Sequence, residues 1–432
     1  MRRLIGLRDF VFDAIEQTTN LVQETHDAAT EKPLRVLAQL EPLGSAARMV
    51  DAPHRAIAKL VFDRIRATSR SVQAISELGV ALAKQVLPEE GLDLTGTPTG
   101  RIITDWTDRA ESALNAVAGD FLAARENGLS IKLSLRHEGH DLSLSKDSLW
   151  RELPHATSKI CVFVHGLGCS DSIWRQHDPE TGEDVSFGAR LLREQGYTPL
   201  YLRYNTGLHI SQNGRAFALA LEQLLLNYPR HVERLALVGH SMGGLVARSA
   251  AHYGKALDLA FVNQLSHLLA IGSPHFGAPL ERASNVLASV LNLFDTAGTQ
   301  VPRKLLNARS AGIKDLRFGS VLDEDWRDHD PDAFFTDTSR HAPFVDGVAY
   351  GYIAARFRDP AQGPLGSLLG DLLVQLPSAS GQHRDEARHL PFHMGHVLQG
   401  VHHVALTHHP DVYPQLVRFL TGADAGSEEG QP

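Results

Sequence analysis

The residues best equipped to do chemistry lie in Leu235-Ala236-Leu237-Val238-Gly239-His240-Ser241-Met242-Gly243-Gly244-Leu245. An apolar run of strand length stops at a glycine, a serine follows two residues on, and two more glycines open a helix-compatible stretch. G-x-S-x-G between a strand and a helix is the pattern of a nucleophile elbow. A chain that reverses within about two residues forces its serine into a strained conformation and lifts the hydroxyl above the sheet edge. The Met242 amide then faces the reacting centre. Side chains at Gly239 or Gly243 would collide with the elements packed on either side. A plain small-residue turn carries the same letters, so the assignment depends on partners elsewhere in the chain.

A serine hydroxyl becomes a nucleophile when a base removes its proton, and the base needs a carboxylate to hold its tautomer and stabilise its charge. In this arrangement the acid and then the histidine follow the serine, each after a strand. Asp371, in Gly370-Asp371-Leu372-Leu373-Val374, is the acid candidate, since it follows a strand and a Gly-rich loop at 363–367. Its rivals Asp323, Asp325 and Asp328 fall inside an apparent insertion, and Asp346 precedes a strand. The base is sought in Gly400-Val401-His402-His403-Val404-Ala405-Leu406, before the last helix; His403 is preferred, and spacing leaves His402 open.

The oxyanion formed on attack needs two backbone donors. Met242 N–H is one. Leu167 N–H is the other, in His165-Gly166-Leu167-Gly168 after an apolar strand. His165, Gly166, His240 and His275 border these pieces and are assigned to the substrate-binding surface.

Elements able to position such groups are readable. Residues 159–164 form a continuous apolar run of the kind buried on both faces of a parallel sheet. Strands at 198–204, 235–238, 268–271 and 348–354 alternate with helices at 214–228 and 245–253, and a final helix covers 412–420. Residues 130–136 and 141–145 alternate as a hairpin would. This is an α/β domain over 129–421, a mostly parallel sheet with helices on both faces and its chemistry at the carboxyl ends of the strands. Residues 280–344 interrupt the rhythm with an amphipathic piece at 286–294 and an Asp-rich loop at 323–328, as a lid or cap insertion would.

Residues 1–128 have the spacing of helices. Leu4, Leu7, Val11, Ile15 and Val22 form one stripe, and Ile57, Val61, Ile65, Val72 and Ile75 form another at an offset of 50 residues. Residues 91–100 look like a loop, followed by a helix with Trp106, Ala110, Leu114, Val117 and Phe121 on one face. A packing accessory to the main domain is favoured over a surface that docks on a membrane or partner. The polar residues 422–432 are expected to be disordered.

Composition narrows the class. Of 432 residues, 43% are apolar and 21% charged, enough to bury a large core. A formal charge of −8 argues against a nucleic-acid partner. Two cysteines make no disulfide framework and are read as reduced, which fits a cytoplasmic protein, with peripheral membrane contact left open. The first apolar run is too short for a secretory signal, and no run approaches the length of a spanning helix. Histidines crowd the C-terminal region, among them His383, His393, His396, His408 and His409, yet their spacings match no zinc pattern. No metal and no organic cofactor is expected, and the oligomeric state is left unspecified.

Taken together, Phe163-Val164-His165-Gly166-Leu167-Gly168, Gly239-His240-Ser241-Met242-Gly243-Gly244 and Gly272-Ser273-Pro274-His275-Phe276-Gly277 resemble the α/β-hydrolase superfamily. Within it the chain is similar to bacterial lipase- and esterase-like members related to the PGAP-type inositol deacylases and the triacylglycerol lipases. Gly370-Asp371-Leu372 with Ser378-Ala379 resembles their acid loop, though Leu372 stands where glycine is common. His403-Val404-Ala405-Leu406 with Val412-Tyr413 resembles their base segment. The resemblance covers about 130–421. It implies a triad of Ser241, Asp371 and His403, favours His403 over His402, and implies Leu167 and Met242 as oxyanion donors. It also implies hydrolysis of small-molecule or lipid carboxylic esters through an acyl-enzyme. Alternatives are acyl transfer, amide or thioester cleavage by the same triad, and a membrane-associated scaffold with a vestigial hydrolase domain.

Overall fold

The computed structural model describes residues 98–278, 310–327, 340, 342–356, 374–383 and 385–422. The two N-terminal stripes and their offset, the amphipathic piece at 286–294, Asp328, Asp371 and the tail after 422 lie outside these residues.

Side chains alternate between two apolar layers, one on each face of an eight-stranded sheet. In β3 (Lys159–Val164), Ile160, Val162 and Val164 enter one layer while Cys161 and Phe163 enter the other. In β5 (Arg234–His240), Leu235 and Leu237 alternate with Ala236 and Val238 in the same way. A strand buried on both faces needs this continuous apolar run, and its period of two sorts the side chains.

The remaining strands are β1 (Ser134–His137), β2 (His140–Asp141), β4 (Tyr197–Arg203), β6 (Leu265–Ile271), β7 (Ala349–Arg356) and β8 (Met394–Gln399), in the order β2-β1-β4-β3-β5-β6-β7-β8. β1 pairs antiparallel with β2 and β4, and every other pairing is parallel. β8 was not visible as an alternating segment, since it lies at the edge and is largely half-buried or exposed.

Helices α2 (Lys146–Glu152), α3 (Phe187–Gln195), α4 (Ile210–Asn227), α5 (Met242–Ala256), α6 (Ala311–Asp315), α7 (Leu376–Ala379) and α8 (Val412–Thr421) complete the alternation. α4 and α5 bury their apolar residues in the first layer, whereas α3 and α8 cover the second. A mostly parallel sheet with helices on both faces is what the sequence leads one to expect. Both cysteines are free. Among the described residues, no helix is long and apolar enough to cross a membrane.

Two expectations shift. The chain divides into one unit of residues 1–101 and 124–129 and another of 102–123 and 130–432. Helix α1 (Pro98–Ala124) thus begins inside the stretch expected to be a loop, and its 102–123 part belongs with the sheet rather than with the rest of 1–128. The reason is polar. Asp108 pairs with Arg136, Glu111 with Arg203, and Asn115 Oδ1 accepts from Ile131 N–H at 3.0 Å. The buried side therefore includes Glu111, Asn115, Ala116 and Leu122, while Leu114 and Phe121 are only half-buried.

The second shift concerns 310–327, within the span expected to form a lid. Ile313, Leu316, Val321 and Leu322 are buried in the first apolar layer. The Asp-rich loop is structural: the Asp325 carboxylate accepts from the amides of Val321, Leu322 and Arg340. Asp323 pairs with Arg215 and Arg327.

Candidate active site

β5 ends at the carboxyl edge of the sheet and α5 starts two residues later, leaving Ser241 at the corner with φ 54° and ψ −123°. That is a sparsely populated region for a residue with a Cβ. Tight packing holds it. A Cβ at Gly243 would strike the carbonyls of Val164 and His165, and one at Gly239 would strike the Gly243–Gly244 backbone. Ser241 N–H donates to Ile271 O at 2.8 Å, tying the corner to the end of β6. A serine before a helix normally caps it with its hydroxyl. Here the positive φ turns the side chain away, and the hydroxyl caps nothing.

Three elements converge on this corner. The loop after β3 approaches so closely that a Cβ on Gly166 would lie 3.0 Å from Ser241 Cβ and 3.2 Å from His240 Nδ1. The Leu167 and Met242 amides donate no hydrogen bond among the described residues. From the other side comes the segment after β8. The His403 ring lies 3.1 Å from where a Cβ of Gly272, the residue after β6, would stand. The His240 and His403 rings are 4.7 Å apart between centroids. His403 Nε2 is enclosed and has no hydrogen-bond partner among the described residues. Burial, with the neighbouring His240 ring a lesser cause, holds His403 well below the ordinary imidazole range, so it is neutral at pH 7. His402, next in the chain, is exposed.

The assigned substrate-surface residues divide. Gly166 and His240 stand beside Ser241. His240 is neutral, since burial lowers its pKa to about 4. His165 stacks on Tyr204 at 4.5 Å, contacts Gly166 O through Nδ1 at 2.9 Å, and is likewise lowered by burial to about 4. His275 is not part of the group: its Nδ1 accepts from Arg248 at 3.1 Å and its ring lies against Phe392. Asp371 falls outside the described residues. Of its rivals, Asp323 and Asp325 are committed to arginines and amides, and Asp346 is exposed in the turn before β7. Among the described residues no group of three or more His, Cys, Asp or Glu is placed to hold a metal ion.

Supports of the Gly166–Gly168 loop were missed in the sequence. Tyr204 Oη donates to His165 O at 2.7 Å, and Gly168 N–H donates to Thr206 Oγ1 at 3.2 Å. Their signal was a polar Asn205-Thr206-Gly207 stretch at the carboxyl end of a buried strand.

This sheet order, with a strained serine between β5 and a helix and a histidine after β8, defines an α/β-hydrolase fold. Residues 158–342 match the model of the PGAP1-like alpha/beta domain family. Solved structures similar to this chain include the mature lipase BlEst2 of Bacillus licheniformis, at 18% identity over 61% of this chain and 91% of that one, with a TM-score of 0.39. The RedJ thioesterase of Streptomyces coelicolor is similar at 19% identity over 62% and 92%, with a TM-score of 0.35. A lipase-esterase related protein from Clostridium acetobutylicum is similar at 12% identity over 61% and 95%, with a TM-score of 0.34. No curated protein sequence matches the chain.

Proposed function

We propose that the chain is a serine hydrolase of carboxylic esters. The observation that carries this reading is Ser241 on a φ of 54° with its side chain not capping the helix it precedes, at a corner where the His403 segment is held by His240 Nε2 and the His403 ring faces Gly272. Backbone strain of this kind costs about 1–3 kcal/mol, and it aims the side chain out of the turn. In the proposed cycle Ser241 Oγ bonds to the acyl carbon as its proton passes to the His403 imidazole. The carbonyl oxygen, now an oxyanion, takes hydrogen bonds from Leu167 N–H and Met242 N–H. The C–O bond to the alcohol breaks and the alcohol leaves with the proton from His403. Water, deprotonated by His403, then releases the acid and restores Ser241. Asp371 is assigned the carboxylate that holds the His403 tautomer. Its place in the chain supports this, since β7 ends at Arg356 on the same sheet edge as Gly272 and the intervening segment leads to Asp371. Small-molecule or lipid esters are the substrate class, and the amphipathic stretch at 286–294 favours apolar acyl groups.

The test is labelling by a fluorophosphonate probe together with hydrolysis of p-nitrophenyl esters of increasing chain length. Wild type should label and turn over, and Ser241→Ala should do neither. Asp371→Ala should label slowly and lose on the order of a thousandfold in kcat. Equal labelling of wild type and Ser241→Ala would overturn the assignment.

A further inference from the structure

The loop that carries the proposed donor Leu167 rests on a tightly packed junction that lies partly outside the matched domain. Thr206 is buried, and its hydroxyl holds the Gly168 amide, one residue after Leu167. Its neighbour Asn205 has no exposure and is fully committed. Asn205 Nδ2 donates to Gly119 O of α1 at 2.9 Å, Oδ1 accepts from Gly207 N–H at 2.9 Å, and its carbonyl accepts from Asn213 Nδ2 at 2.9 Å. Gly207 packs so closely on α1 that a Cβ there would strike Asn115 O and lie 2.8 Å from Gly119 Cα.

The start of α6 closes the junction from a third side. Ser310 Oγ donates to Ala116 O at 2.6 Å, and Ala311 N–H donates to Asp120 Oδ2 at 3.0 Å, both on α1. Gly312 N–H donates to Gly207 O at 3.1 Å, and a Cβ on Gly312 would strike Thr206 O and lie 3.1 Å from Met242 Cε. The backbone of α1, the 205–208 loop and the 310–312 segment are therefore in near-contact. They lead to the Leu167 loop through Thr206–Gly168, and Gly312 packs near the end of the Met242 side chain.

We infer that Thr206 is a positioning residue for the oxyanion hole, held in place through Asn205 by helix α1, whose 102–123 part precedes the matched domain at 158. This rests on the ester-hydrolase reading and adds to it. A backbone donor has no side chain to tune, so its aim is set by what anchors the adjacent amides. A displacement of the order of an ångström at such a donor is costly to rate while leaving substrate binding in the ground state largely intact.

The test compares Thr206→Val, Thr206→Ser and Gly119→Ala in the full chain, with p-nitrophenyl ester kinetics and thermal midpoints. Thr206→Val removes the acceptor for Gly168 N–H. Thr206→Ser keeps it. Gly119→Ala suits the helix but drives a methyl into the Asn205 side chain. Thr206→Val and Gly119→Ala should each lose about tenfold in kcat with KM within about twofold, and Thr206→Ser should stay near wild type. Wild-type kcat in either of the first two, or failure of serine to rescue, overturns the inference while wild type still hydrolyses esters. A wild type that neither turns over nor takes a fluorophosphonate label removes the ester-hydrolase reading itself, and this inference with it.

Discussion

His240 Nε2 donates to the backbone carbonyl of His403 across 3.0 Å, joining the residue before the elbow serine to the proposed base. A carbonyl oxygen only accepts, so Nε2 carries the proton and the ring is the neutral Nε2–H tautomer. The bond fixes where the His403 segment sits over the corner. His240→Phe should keep the ring volume and lose the donor, lowering kcat about tenfold with little change in KM. His240→Gln offers an amide donor at a similar reach and should recover most of that loss. Steady-state kinetics on one p-nitrophenyl ester decide it, and equal rates in Phe and Gln variants would count against a positioning role.

The strain at Ser241 has a consequence for stability. Only glycine adopts φ 54°, ψ −123° without cost, so Ser241→Gly should relieve the corner while destroying activity. Ser241→Ala keeps a Cβ and keeps the strain. The glycine variant should therefore unfold at higher urea than the alanine variant, by about 1 kcal/mol after its larger chain entropy is deducted. An alanine variant as stable as the glycine variant would show that the turn stores little energy.

Much of this architecture was legible because it depends on period. Ile160 to Val164 and Leu235 to Val238 announce doubly buried strands by their unbroken apolar character, and Ser241 announces the corner by the glycines around it. What was not legible depends on distant polar partners. The buried side of α1 could not be read from hydrophobic spacing, because Asp108 answers to Arg136 across 28 residues and Glu111 to Arg203 across 92. Tyr204 and Thr206 support a loop some 40 residues away, and hydrogen bonds between loops follow no period. β8 was hidden because an edge strand with Gly395 and His396 lacks the apolar run of its neighbours. Spacing also could not separate His402 from His403; the fold leaves one exposed and sets the other's ring against Gly272.

Buried histidines set an acid limit on both stability and rate. His165 and His240 are lowered by burial to about 4, and His275 and His403 lie well below the ordinary value. As pH falls below about 6.5 the unfolded chain takes up protons that the folded chain refuses, so unfolding is favoured. Stability is full above that value and drains as pH falls toward 4. The thermal midpoint should drop across this window, before the carboxylates titrate. His165→Gln should flatten part of the slope. Because burial holds His403 well below the ordinary imidazole value, the acid limb of kcat/KM should fall below the usual imidazole region, provided the protein is still folded. A limb centred near 6.5 or above would contradict the burial of His403.

Arg136 is the charge on which α1 and the loop after β3 are joined. It reaches Asp108 at 3.1 Å, Asp141 at 2.6 Å and Asp171 at 2.7 Å, and Asp108 and Asp171 are almost wholly buried. Burial alone would raise the Asp171 carboxyl, but Arg136 and Arg175 overcome it and hold the group below the usual carboxylate range. Removing one partner of a buried pair leaves the other desolvated and uncompensated, at a cost near 3–5 kcal/mol. Arg175 still bonds Asp171 at 2.9 Å, and Arg203 lies 3.8 Å from Asp108, which places Arg136→Ala at the lower end, about 3 kcal/mol. Arg136→Met, of similar length and uncharged, should be no better, because the deficit lies in the carboxylates and not in lost volume. Replacing Asp108 by Asn together with Arg136→Met should recover part of the loss. Urea unfolding of the three variants checks this, and a loss under about 0.5 kcal/mol in Arg136→Ala would mean that water screens the network despite its burial.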